Sequence, residues 1–294
     1  MNTEPLVSRE SFPVAPSRRP LLRFLPRRLF ALRSAQIGIA IAVCLCGASI
    51  AGQLVWRAAP EKMNQAQKLA PPSASHPLGT DQFGRDQLAR MLDGGRRSLG
   101  AAVIVLVGML LISLTVGVSA GMIGGWFETV VMRAIDVLLA LPALVLALAV
   151  IGVLGVGYEN LLLALTASSW AYYARLARSY VRLAVRRQDV IAARLAGIGW
   201  LRITVGHIVP GVITQLAIVA TLDLGGIIIG IAGLSFLGLG VQPPDAEWGA
   251  MLAESRLYFA VAPWLLVAPA AAIFLTVIAA NLIGNALRDL AEVK

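Results

Sequence analysis

From Ala35 to Trp56 the chain runs 22 residues without an acidic or basic side chain. A helix rises about 1.5 Å per residue, so this run is long enough to cross a hydrocarbon core about 30 Å thick. Further apolar runs follow at Leu99 to about Gly121, Val137 to about Gly155, Leu161 to Ala174, Val212 to Gly240 and Ala260 to about Asn285. In lipid every backbone polar group must find its partner within the protein, so runs of this kind fold as helices. Charged residues make up only 14% of the chain, against about 25% in soluble domains. Too little charge is left to cover a water-facing surface, which excludes a freely soluble enzyme. The expected fold is an all-α polytopic membrane protein with about six transmembrane helices.

The net charge of +9 does not point to nucleic acid. The basic residues sit in blocks between apolar runs, the pattern of membrane-flanking anchors. Residues 1–34 hold seven arginines and read as a basic cytoplasmic arm ending in an amphipathic piece from Leu21 to Arg33. Residues 35–56 are the first transmembrane helix, too long for the 7–15-residue core of a signal peptide and hence uncleaved. Residues 57–97, with Pro71, Pro72 and Pro77, form an extracytoplasmic segment, and residues 98–290 carry the main transmembrane domain. Its third span is expected to kink at Pro142. The fourth, Leu161 to Ala174, is short because Arg175 ends the run.

Six spans put both termini on one side. That side carries seventeen Lys and Arg: seven in the arm, Arg133, seven from Arg175 to Arg202, and two in the tail. The other carries eight, seven of them in residues 57–97 among four acids. The positive-inside rule makes the first side cytoplasmic. Cys44 and Cys46 are two positions apart on one helix, point away from each other, and read as small packing residues.

The cytoplasmic loop, residues 175–210, is the most informative stretch. Asp189 is placed to cap a short helix from Val190 to Ala196, Gly197 to stop it, and Gly199 to His207 to form a second piece ending at Pro210. Ile191, Leu195, Ile198, Trp200 and Leu201 give this knob apolar faces ringed by Arg186, Arg187, Arg194 and Arg202. Such a knob suits insertion into a groove on another protein, or equally a helix pair lying on lipid.

Ala192-Ala193, then Gly197, then Pro210 thirteen residues later, resembles the Glu-Ala-Ala loop of permeases in bacterial binding-protein-dependent ABC importers. Ile191 stands where that pattern has Glu, His207 where it has Ile and Val209 where it has Leu. The segment His76-Pro77-Leu78-Gly79-Thr80-Asp81-Gln82-Phe83-Gly84-Arg85-Asp86 resembles the second permease of the dipeptide, oligopeptide and nickel branch. So do Ser235-Phe236-Leu237-Gly238-Leu239-Gly240-Val241-Gln242-Pro243-Pro244, Glu247-Trp248-Gly249, Asn281-Leu282 and Leu287-Arg288-Asp289. Asn285 departs from the Asp common there.

The resemblance implies a permease of the bacterial inner membrane, with a second homologous permease, two ATPase subunits and an extracytoplasmic binding protein as partners. ATP and Mg would be bound by the ATPase subunits and no cofactor by this chain. Ile191, Ala192, Ala193, Arg194, Leu195, Gly197, Ile198, Gly199 and Pro210 would couple to an ATPase subunit. Short peptides, nickel or metal chelates would be the cargo, with Ile191 and Ile231, where peptide importers often have Glu, leaning toward the metal side.

The residues add their own readings. Thr80 and Asp81 are placed to cap a short helix tied by Arg85 to Asp86 and Asp93. Gly226-x-x-x-Gly230 permits close helix approach. Asp136 pairs most simply with Arg133, one helical turn earlier. Asp223 lies about 20 Å of helix beyond Pro210 with no basic residue in its own span, so it is expected to line a wet path or to make a structural hydrogen bond. Asp223, Gly226, Gly230 and Ser235 are the candidate path residues. There is no Gly-x-x-x-x-Gly-Lys-Ser/Thr motif for a phosphate-cradling loop, no His/Cys/Asp/Glu spacing suited to a metal, and no catalytic triad. The rival reading is a stand-alone secondary transporter with Asp223 as ion or proton carrier; a membrane-embedded enzyme lacks a site.

Overall fold

A computed structural model describes residue 30 and residues 32–292, so the basic arm lies almost wholly outside the described residues. Within them the secondary structure is helical. The helices are α1 (Arg33–Val55), α2 (Gln87–Ile123), α3 (Gly125–Leu139), α4 (Ala143–Leu154), α5 (Tyr158–Val185), α6 (Gln188–Leu195), α7 (Trp200–Ile203), α8 (Val209–Phe236), α9 (Trp248–Ser255) and α10 (Trp264–Glu292). Among the described residues, four stretches are long and apolar enough to cross a membrane: α1, α2, α7 through α8, and α10. The pair α3 and α4 meets the same condition jointly, but is bent by 91°.

Three spans differ from expectation. The third is not one kinked helix: α3 and α4 are separate, because Pro142 supplies no N–H to continue the ladder. The fourth is longer than its apolar run. α5 continues through Arg175, Arg178 and Arg182 for 28 residues, about 42 Å, and its charged half extends beyond what a bilayer core needs. The fifth, expected from Val212 to Gly240, does not begin afresh there, since α7 passes through a π-helical turn, Thr204–Ile208, directly into α8, which ends at Phe236. Pro210 is the second residue of α8, directly after the π-helical turn, whose altered hydrogen bonding lets the helix run on past a residue that brings no N–H.

α5 packs against α2, α4 and α8, and α10 packs against α1 and α8. The α2–α5 contact is close because α2 presents Ser113, Gly117 and Gly121 on one stripe. Ser113 Oγ donates to the Trp170 carbonyl at 2.7 Å. A methyl on Gly117 would fall 2.5 Å from the Ala174 carbonyl oxygen and 2.5 Å from Ala177 Cβ. The Gly226 and Gly230 pair does not play this part: a Cβ at Gly226 would meet nothing within 4 Å, and one at Gly230 would make ordinary contact with Leu165 at 3.5 Å.

The segment 57–97 and the stretch 240–265 form one polar cap. Asp86, not Thr80 or Asp81, caps α2, accepting from Ala89 N–H at 2.7 Å, from the Trp56 indole at 3.0 Å and from His76 at 2.7 Å. Asp81 instead closes a turn, accepting from the Phe83 and Arg85 amides at 2.8 and 2.9 Å. Arg85 pairs with Asp81 at 2.5 Å and with Glu254 at 2.9 Å rather than with Asp86 or Asp93. Arg90 reaches the same Glu254 oxygen at 2.9 Å, and both arginines are 1% exposed. Asp93 pairs with Arg97, which also holds Asp245 at 2.7 Å. Buried Glu247 caps α9 through the Gly249 and Ala250 amides, each at 3.0 Å, and accepts from Ser98 Oγ at 2.7 Å.

Candidate translocation cavity and docking knob

Asp223 is exposed, although it lies in the middle of the apolar helix α8. It opens into a cavity of about 340 Å³ enclosed by α2, α5 and α8 and by the break between α3 and α4. Leu139, Ala143 and Leu144, on either side of that break, form one wall. Gly226 and Gly230 lie on the same face of α8, one and two turns above Asp223, and line the cavity because they carry no side chain to fill it. Ser168, Ser169, Tyr172 and Tyr173 face them from α5.

Asp223 accepts a hydrogen bond from the Tyr173 hydroxyl at 2.5 Å. The structural hydrogen bond expected of this acid is present, and the acid also borders the cavity. Ser235 is not part of the cavity. It lies twelve residues past Asp223, about 18 Å along the helix, is 2% exposed, and packs beneath Gly240. Ile231 is also buried in the helical core and does not line the cavity. Tyr172 and Tyr173 are the residues the sequence reading passed over, since an aromatic pair at this spacing reads as packing. The nearest sequence signal is their place just before Arg175, where the apolar run of α5 ends.

At the other end of α5 the chain forms the expected knob. α6 ends at Ala196, and Gly197 turns the chain with φ +79°, a left-handed conformation that a Cβ disfavours. Asp189 does not cap α6; it pairs with Arg187 at 2.6 Å, and α6 starts without a side-chain cap. Ile191, Leu195, Leu201 and Val205 are exposed, Leu195 by 84% and Leu201 by 79%, while Ala193 is buried against the core. Ala192, Arg194 and Gly199 are exposed and Ile198 half-buried, with the Arg194 guanidinium 5.5 Å from the Trp200 ring centre. Pro210, also exposed, belongs to the root of α8 rather than to the knob's tip. Beside the knob, Glu128 on α3 holds Arg178 and Arg182. Asp136 pairs with Arg175 across to α5 instead of with Arg133, because the bend after α3 brings its end against that helix.

Residues 113–293 match the family described as "Binding-protein-dependent transport system inner membrane component". The chain belongs to this family. It is a permease, a multi-pass component of the inner membrane. The permease is 42% identical over 230 residues to the nickel transport system permease protein NikC of Escherichia coli (strain K12), covering 78% of this chain and 83% of that one. It is 42% identical over 224 residues to the glutathione transport system permease protein GsiD of Pectobacterium atrosepticum, covering 76% of this chain and 74% of that one. It is 35% identical over 258 residues to the dipeptide transport system permease protein DppC of Alkalihalophilus pseudofirmus, covering 88% of this chain and 85% of that one. The family match takes in the knob and, apart from Val105 and Met109, the residues lining the cavity.

Proposed function

We propose that this permease forms one half of the path of an ATP-driven importer, paired with a second homologous permease and two ATPase subunits and fed by an extracytoplasmic binding protein. ATP and Mg belong to the ATPase subunits. The observation that carries the reading is the knob: exposed Ile191, Leu195, Leu201 and Val205 crowd a turn fixed by Gly197 and ringed by arginines. Apolar side chains left this uncovered by their own chain, among so many arginines, favour a protein groove, and the spacing of Ala192, Ala193 and Gly197 supports an ATPase subunit as its owner.

The charge count supports a cytoplasmic knob, cytoplasmic termini and an outer cap. Closure of the ATPases on ATP would move residues 175–210 and, through the rigid rod of α5, the wall of the Asp223 cavity. Asp223, Gly226 and Gly230 are the proposed path residues, and Ser235 is no longer among them. The cargo class is short peptides, nickel or metal chelates; the relatives' names, which print nickel, glutathione and dipeptide, support the first two.

Gly197→Asp tests this. The substitution puts a side chain and a charge into a left-handed turn at the tip of the knob and leaves the spans untouched. The expected result is a chain that inserts normally but no longer retains its ATPase subunits on purification, with uptake lost. Normal co-purification together with normal uptake of nickel and of a dipeptide would overturn the docking role.

A further inference from the structure

Tyr173 is 3% exposed, yet its hydroxyl is 2.5 Å from Asp223 Oδ2. Its ring meets that of Tyr172 edge to face, with centres 5.4 Å apart and planes at 87°, so it has little freedom to turn. The hydroxyl therefore holds one oxygen of Asp223 and fixes the carboxylate plane. The other oxygen is left toward the cavity, where no Lys or Arg lines the wall. The remaining polar groups on that wall are hydroxyls, from Ser168, Ser169 and Tyr172, and Ser168 already donates to the Leu165 carbonyl at 3.1 Å.

A carboxylate oxygen in an apolar-sided cavity is best satisfied by a positively charged hydrogen-bond donor. Oxygen-only polar groups favour an ammonium, or water molecules already bound to a metal, over a bare soft metal ion that seeks imidazole or thiolate. At about 340 Å³ the space is at the small end of ligand pockets.

We propose that Tyr173 is a positioning residue that aims the free oxygen of Asp223 at a cationic N–H or metal-bound O–H group of the cargo, making this cavity a selectivity point for positive charge. The proposal rests on the path reading of the cavity given above.

The test is equilibrium binding to the assembled importer in detergent, with the binding protein omitted. The probes are radiolabelled aqueous nickel(II), glycylglycine amide with its free ammonium, and the N-acetylated form of the same amide. Saturable binding of at least one cationic probe is expected, with none of the acetylated one. Tyr173→Phe keeps the ring and removes the hydroxyl. It should weaken the cationic probe about tenfold, the factor for one charge-assisted hydrogen bond, as should Asp223→Asn. The double variant should bind no worse than Asp223→Asn alone, which a merely structural role for the hydroxyl would not produce.

Which probe binds tells an ammonium from a metal-bound donor. Absence of cationic binding, equal binding of the acetylated probe, wild-type affinity in Tyr173→Phe, or additive losses would each overturn the proposal. ATP hydrolysis by the wild-type complex with loaded binding protein is measured alongside. Its absence counts against the importer reading, whereas its presence with unaltered probe binding counts against Tyr173 alone.

Discussion

Glu254 receives Arg85 and Arg90 on one carboxylate oxygen, each at 2.9 Å, with Gln82 at 3.3 Å. Neither guanidinium has a route to water at 1% exposure, and Asp81 supplies the only other acid to them among the described residues. Removing one member of a buried charge cluster leaves an uncompensated charge, which costs about 3–5 kcal/mol. Glu254→Ala should therefore lower the thermal unfolding midpoint of the purified permease by several degrees, and Glu254→Gln by less, read by intrinsic fluorescence in detergent. An unchanged midpoint in the alanine variant would mean that the cluster contributes nothing to holding the cap. The contrast with Asp223 is instructive: the cap acid lies among two arginines and a glutamine that donate to it, whereas the acid in the largely apolar cavity has one donor among the described residues.

The contact between α2 and α5 depends on a stripe with almost no side chain. A leucine at Gly117 would overlap Ala174 and Ala177 and force the two helices apart, whereas a Cβ at Gly100, on the same helix, meets nothing within 4 Å. Overpacking typically costs about 1–3 kcal/mol, and more where backbone lies on the far side. Gly117→Leu should yield chain that inserts but aggregates on solubilisation, while Gly100→Leu elutes as the wild type by size exclusion. Equal behaviour of the two variants would remove the stripe's special standing. Much of this element order was legible from the chain, because charge-free runs as long as Ala35 to Trp56 have one solution in lipid. The length of α5 was not, since Arg175 ends the apolar run without ending the helix. The break at Pro142 could be located but not its angle, which packing of α3 and α4 on α5 decides. In the cavity, Asp223, Gly226 and Gly230 stood out as an acid and small residues in an apolar run. Tyr173 did not, because its role appears only once α5 and α8 lie side by side.

For the whole permease, the proposed orientation rests on where its cations lie. The knob and the charged end of α5 carry exposed arginines, whereas Arg85 and Arg90 in the cap are internal and paired. The effective asymmetry is thus steeper than the residue count. With Cys44 and Cys46 replaced by Ala, a single cysteine in place of Lys62 should react with a membrane-impermeant maleimide in intact spheroplasts. One in place of Arg194 should react only after permeabilisation. The reverse pattern would invert the permease and with it the docking proposal. The cap has a further consequence during synthesis. Arg85 and Arg90 leave the ribosome 169 and 164 residues ahead of Glu254. Until residue 254 has been made and has reached the cap, both cations stand without that acid and the cap cannot close on itself. A chain cut short before residue 254 therefore cannot assemble this cluster, however well its earlier helices insert.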